Sequence, residues 1–174
     1  VLLALVYPWM KSHHLGDINI LVSFALLPAL GTFFVAVGSY DTQSLLMILP
    51  IGLLTVSILH ANNTRDVKTD RLAGLGTITT SVSLMNAKAI YTFEIFAPYA
   101  LALLYVVLLG QPWTLLAVVL TLPLALRNVR TMIQAEDDLP YRGIQRLDQT
   151  TAQLQMIFGL LYALGFFLGS WLGV

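Results

Sequence analysis

Asn62, Asp66 and Asp70 stand four residues apart in the run Asn62-Asn63-Thr64-Arg65-Asp66-Val67-Lys68-Thr69-Asp70-Arg71. On a helix such positions share a face that drifts by only about 40° per step. Three oxygen-bearing side chains along one stripe suit a hard divalent cation such as Mg²⁺, which takes oxygen ligands and shares them with phosphate. Arg65, Lys68 and Arg71 interleave with the acids and are of the type that neutralises phosphate oxygens. Carboxylate, divalent cation and diphosphate together are the parts needed to ionise an allylic diphosphate. A plainer reading stands beside this one: Asn and Asp are ordinary helix-cap residues, and a polar run behind an apolar helix is in most chains its solvated end. The additional Asn one turn ahead, the flanking bases and the apolar surroundings favour the chemical reading.

Those surroundings are unusual. Of 174 residues, 57% are hydrophobic and only 10% charged, with mean hydropathy +0.80; a soluble domain carries about a quarter charged residues. The composition predicts an all-α integral membrane protein, a transmembrane helical bundle read as a single domain over residues 1–174. Alternating strands of the β-barrel type are absent from the pattern. Formal net charge is zero, which argues against a nucleic-acid partner. There is no cysteine, so disulfide frameworks and thiolate metal sites are excluded. No targeting signal is recognisable. The sequence begins in mid-hydrophobic segment without Met and is expected to be part of a longer chain.

Apolar stretches run roughly over Ile18–Gly38, Leu45–Asn62, Ala87–Gly110, Trp113–Ile133 and Thr151–Trp171, with Val1 to Trp9 resembling the end of a further helix. Each of the five is close to the ~20 residues a helix needs to cross a bilayer. Pro28, Pro50, Pro98 and Pro123 fall inside them and are expected to kink their helices. All Lys and Arg (Lys11, Arg65, Lys68, Arg71, Lys88, Arg127, Arg130, Arg142 and Arg146) cluster near alternate helix ends. The positive-inside rule makes those ends cytoplasmic and puts the Asn62–Arg71 run on that side. The two segments Arg65–Lys88 and Arg127–Asp148 read as long, charged loops that could form one polar cap over a cavity between helices.

Single residues carry weaker signals. Glu94 lies within an apolar span, where a carboxylate is costly and is usually functional or paired. His60 is a possible proton acceptor, against the commoner role of a buried, hydrogen-bonded histidine. His13-His14 read as an interfacial pair, and Glu136-Asp137-Asp138 as a solvated charge run. Tyr91, Tyr99, Tyr105 and Trp113 fit an aromatic belt or a lipid-facing wall, and Tyr141 could meet an aromatic acceptor.

The stretch Ile58-Leu59-His60-Ala61-Asn62-Asn63-Thr64-Arg65-Asp66, continued by Thr69-Asp70-Arg71-x-Ala73-Gly74, resembles the second aspartate motif of the UbiA superfamily of intramembrane aromatic prenyltransferases. It is most similar to the 1,4-dihydroxy-2-naphthoate branch that makes menaquinone and vitamin K. Lys11-x-x-x-Leu15-Gly16-Asp17 resembles the opening of a helix in that branch. Thr150-Thr151-Ala152-x-Leu154 with Phe158-Gly159-Leu160-Leu161-Tyr162 resembles its last helix. The aspartate motif is the specific part.

The resemblance implies a helical bundle, nine spans in the family against about six here, around a cavity open to lipid. It also implies Mg²⁺ held by two Asp-rich motifs, and transfer of a prenyl group from a polyprenyl diphosphate to an aromatic quinone precursor. On this chain Asp66 and Asp70 match the catalytic, metal-binding carboxylates, with Asn62 as a further metal ligand. Asn62, Asn63, Arg65, Lys68 and Lys11 match substrate-binding positions. The family's earlier Asn/Asp-x-x-x-Asp motif has no counterpart before Lys11, so the polypeptide by itself is expected to be inactive. The expected location is a bacterial cytoplasmic membrane, with protein partners supplying missing helices as one possibility. The alternative reading is a truncated, non-catalytic family member that serves as a membrane or quinone-binding subunit; a transporter is weaker, since no inverted half is visible.

Overall fold

The computed structural model describes residues 5–6, 8–10, 15–39, 42–136 and 140–174. Among them every regular element is helical. Helix α1 (Gly16–Ile20) runs through a π-helical stretch (Leu21–Leu26) into α2 (Leu27–Val37). Then come α3 (Thr42–Leu72), the short α4 (Ile78–Ser81), α5 (Leu84–Leu109), a 3₁₀ stretch (Trp113–Thr121) running into α6 (Leu122–Ile133), the short α7 (Pro140–Ile144) and α8 (Leu147–Leu172). Five of the resulting segments are long and apolar enough to cross a membrane: Ile18–Val37, Leu45–Leu72, Leu84–Leu109, Trp113–Ile133 and Arg142–Leu172. The fold class and the five spans agree with the sequence reading. The partial span at the start lies mostly outside the described residues.

Hydropathy misplaced the ends. The polar run Asn62–Arg71 does not leave α3 but forms its last turns, so Arg65–Lys88 is mostly helix rather than loop. The helix stops where Gly74 adopts φ 67°, with Leu75 N–H donating to Asp70 O (2.9 Å) and Gly74 N–H to Arg71 O (3.2 Å). This paired closure satisfies the carbonyls of Asp70 and Arg71, and glycine takes its left-handed conformation without strain. Thr77 then restarts a helix: its Oγ1 accepts from Thr80 N–H while its own N–H donates to Thr80 Oγ1. The segment Arg127–Asp148 is likewise helical at both ends and in α7.

The prolines divide into two kinds. α3 continues through Pro50 and α5 through Pro98. Pro28 and Pro123 instead sit at the first turn of α2 and α6, directly after the π and 3₁₀ stretches. A proline lacks the N–H of an α-helical bond and its ring crowds the carbonyl four residues back, so the helix upstream changes its hydrogen-bond step. Leu27 N–H accordingly reaches back to Val22 O and Leu122 N–H to Val119 O.

The core lies between α3, α5, the 3₁₀–α6 segment and α8. Leu54, Tyr91, Ile95, Leu115, Met132, Leu154 and Phe158 are fully buried in it. At Gly165 the backbone of α8 lies against Leu115, where a Cβ would stand 2.9 Å from Leu115 Cα, and Thr114 Oγ1 donates to Gly165 O (2.5 Å). Small residues let helices approach this closely in lipid, where packing replaces the hydrophobic drive. Phe93, Val107, Leu160, Phe167 and Trp171 face outward, as expected of side chains whose solvent is lipid.

The tyrosines correct the aromatic-belt reading, although Trp113 is exposed as that reading requires. Tyr91 and Tyr105 are buried. Tyr105 O–H donates to Leu46 O (2.6 Å), which ties α5 to α3. Tyr91 and Tyr99 bond to Thr151 and Thr121, each at 2.6 Å. Both threonines donate to their own helical carbonyls, so both tyrosines are the donors. These bonds fasten helices from inside, and each hydroxyl is satisfied away from water.

Candidate active site at the polar end of α3

Helical geometry over Asn62–Asp70 is as the spacing requires, but the run does not present one uniform face. Arg65 organises its first half. The guanidinium donates from Nε to Asp66 Oδ1 (2.9 Å) and from Nη2 to Asp66 Oδ2 (3.0 Å) and to Asn62 Oδ1. Its Nη1 reaches Asp148 Oδ2 (2.8 Å) in the first turn of α8. One planar cation thus gathers three oxygen-bearing side chains from two helices, a geometry that a guanidinium provides and an ammonium does not. The bridge also realises the expected meeting of the two charged segments. Lys88 reinforces it by donating from Nζ to Ile133 O (2.8 Å) and Ala135 O (2.6 Å), the carbonyls at the end of α6.

Below this cluster lies an apolar cavity of about 300 Å³, lined by Ile20, Phe24, Thr55, Ile58 and Leu59, with Asn62 and Asp148 contributing its polar part. Gln155 Nε2 donates to Thr55 Oγ1 (2.6 Å), joining α8 to α3 at its wall. Phe24 also lines a second cavity, of about 730 Å³, between the α1–α2 arm and the apolar part of α3. Phe24 thus stands between two apolar cavities, of which the first has amide and carboxylate groups in its wall.

The remaining candidates are placed as follows. Asn63 is buried beside the core, turned inward from its neighbour Asn62. Asp70 is buried, and its Oδ2 has no hydrogen-bond partner among the described residues. Lys68 lies on another side of α3 from Asn62: with Thr64, Val67, Arg71 and Thr79 it borders a separate small cavity of about 50 Å³. Lys11, His13, His14, Asp137, Asp138 and the side chain of Tyr141 lie outside the described residues. Asp148 was missed by sequence reasoning. Its only signal was an acidic residue at the head of a helix, which is an ordinary feature.

A hard cation prefers converging oxygen donors. Asn62 Oδ1 and the Asp66 carboxylate already converge on one positive charge, which fits part of such a site; Asp70, further along α3, brings a buried oxygen without a hydrogen-bond partner among the described residues. Among the described residues no group of three or more His, Cys, Asp or Glu side chains is gathered closely enough to hold a metal by itself.

A second polar cluster lies inside the bundle. His60 Nδ1 stands 3.4 Å from Glu94 Oε2, with both side chains almost wholly buried. The His60 ring is tilted against Tyr91 at 6.2 Å between centroids. Glu94 is therefore an interior partner of α3 and does not reach the polar end. His60 lines none of the cavities described above.

Comparison with known proteins agrees with this architecture. The model of the UbiA prenyltransferase family matches residues 1–142. UbiA prenyltransferase domain-containing protein 1 of Xenopus tropicalis is 34% identical over 155 residues, covering 87% of this chain and 41% of the relative. The human protein of the same name is 32% identical over 155 residues, covering 88% and 43%. The Drosophila melanogaster homolog is 34% identical over 154 residues, covering 85% and 39%. The chain spans about two fifths of the length of the curated relatives it matches. These relatives are animal proteins and lend no support to a bacterial membrane.

Proposed function

The chain belongs to the UbiA prenyltransferase family, and from that premise we propose that it carries part of the active site for transfer of a prenyl group from a polyprenyl diphosphate to an aromatic quinone precursor. We take 1,4-dihydroxy-2-naphthoate as the acceptor and menaquinone-type biosynthesis as the setting. The observation that carries the reading is the placement of Asn62 and Asp148 in the wall of an apolar cavity, joined to each other and to Asp66 through Arg65. A diphosphate headgroup and an isoprenoid tail need that pairing of charge with hydrocarbon.

Each residue has a derivable part. Asn62, Asp66 and Asp70 would hold the divalent cation, Mg²⁺ in our reading, which when bound draws charge from the departing diphosphate. Arg65 offers a planar, permanently charged donor set to the diphosphate oxygens. Ile58, Leu59 and Phe24 receive the first isoprene units and keep water from the allylic carbon as its C–O bond breaks. The acceptor ring then forms the new C–C bond and gives up a ring proton, and the naphthoate must also lose its carboxylate as CO2 to reach a menaquinone-type naphthoquinol. His60 is too deeply enclosed to take that proton. Lys68 would meet the diphosphate only from outside the cluster, and Lys11 keeps the substrate-binding role its motif implies. Under the positive-inside rule the basic helix ends support a cytoplasmic setting for this chemistry.

The test is prenyl transfer by the full-length protein in membranes, with Mg²⁺, radiolabelled prenyl diphosphate and 1,4-dihydroxy-2-naphthoate. EDTA-sensitive formation of a lipid-soluble naphthoquinol is expected. No product with this or any other aromatic acceptor, from folded protein, would overturn the reading in favour of a non-catalytic membrane subunit.

A further inference from the structure

Arg65 has four close acceptor contacts and divides them unequally. Nε and Nη2 serve Asp66 and Asn62, two of the oxygen donors a divalent cation would need. Nη1 serves Asp148 alone, at 2.8 Å, and Asp148 lies on a different helix. The other carboxylate oxygen of Asp148, Oδ1, is buried and has no hydrogen-bond partner among the described residues. Asp148 also lines the apolar cavity. It therefore has spare acceptor capacity for the guanidinium at the place where a diphosphate would enter.

From this we infer that Asp148 is a positioning residue for Arg65. It retains the guanidinium over the cavity mouth when Asn62 and Asp66 release it, so that Arg65 is the resident cation of the empty site and the counter-ion of the diphosphate in the loaded one. This rests on the prenyl-transfer reading above and adds to it how the site exchanges one positive charge for another. A divalent cation at Asn62 and Asp66 must displace Nε and Nη2. Both centres are positive, so the displaced guanidinium either leaves or is held by a carboxylate that the cation does not use. Asp148 is that carboxylate. Without it Arg65 has only Asp66 and Asn62 to pair with, and it competes with the entering cation.

Mn²⁺ binding followed by electron paramagnetic resonance on the full-length protein in lipid nanodiscs tests this without reference to turnover. Asp148→Asn should bind Mn²⁺ roughly three- to tenfold more weakly than wild type, the range of coupling expected within one charge network. Arg65→Gln should bind it more tightly, because the competitor is gone. In the Arg65→Gln background, Asp148→Asn should change binding by less than about twofold, the mark of an effect carried through Arg65. A parallel assay should show the KM for prenyl diphosphate rising in Asp148→Asn with kcat nearly kept.

An equal weakening by Asp148→Asn in both backgrounds would mean that Asp148 acts on the cation directly and would overturn the inference. So would unchanged Mn²⁺ binding in Asp148→Asn. Should Arg65→Gln fail to fold, Arg65→Lys serves, since an ammonium keeps the charge but cannot span Asp66 and Asp148 together. Absence of Mn²⁺ binding in the wild-type protein would sink the prenyl-transfer reading itself, and the inference with it.

Discussion

The chain contains two polar clusters built on the same helix, barely more than one turn apart, and their environments are opposite. The Arg65 cluster lies at the end of α3: three oxygen-bearing side chains from two helices share one guanidinium beside a cavity. The His60–Glu94 cluster lies within the bundle with α5 against it, and Tyr91, which flanks His60, bonds on to α8 through Thr151. A carboxylate in an apolar span invites a functional reading, yet here Glu94 is the one enclosed by protein and Asp66 the one left partly exposed. In this chain the charge beside an open space is the candidate for function, and the enclosed charge joins α3 to α5.

Substitutions sharpen this contrast, and the largest expected effect is at the polar end of α3. Asp66→Ala or Asp70→Ala in the full-length protein should lower prenyl transfer by roughly 10²-fold or more, the usual size for loss of a charge-stabilising group, with expression and melting temperature kept. Turnover near wild type in either variant would contradict the site assignment. Next is the interior cluster. Glu94→Ala leaves His60 without its carboxylate and should cost about 1–2 kcal/mol of stability in detergent or lipid, read as a lower melting temperature, while KM for both substrates stays put. Replacing His60 and Glu94 together by leucine should recover part of that loss, because an apolar pair leaves no orphaned polar group; a double variant less stable than either single one would argue for a role beyond packing. The smallest effect is expected at Tyr91→Phe, about 0.6 kcal/mol for one interior hydrogen bond, measurable as a modest shift in melting with activity retained.

Legibility in the sequence followed the range of the interaction. Hydropathy located all five described spans because lipid demands length and apolarity locally. It mistook the end of α3, since a polar run normally signals exit from the helix. Here Asn62, Arg65 and Asp66 satisfy one another at helical spacing and Gly74 supplies the stop two residues past Leu72. The tyrosines were misread as a belt because composition gives residue type but not the side of the helix, and their threonine partners lie 22 and 60 residues away. Asp148 was invisible for the same reason, standing 83 residues from Arg65. The spacing of Asn62, Asp66 and Asp70 was readable; the partner that completes the cluster was not.

The most direct measurement is prenyl transfer per folded molecule for Asp66→Asn and Glu94→Gln side by side, in membranes with saturating Mg²⁺. Both changes replace one carboxyl group by its amide in neighbouring parts of the bundle with almost no change of shape. The account predicts loss of transfer in Asp66→Asn and transfer close to wild type in Glu94→Gln. The reverse pattern, or equal loss in both, would contradict it.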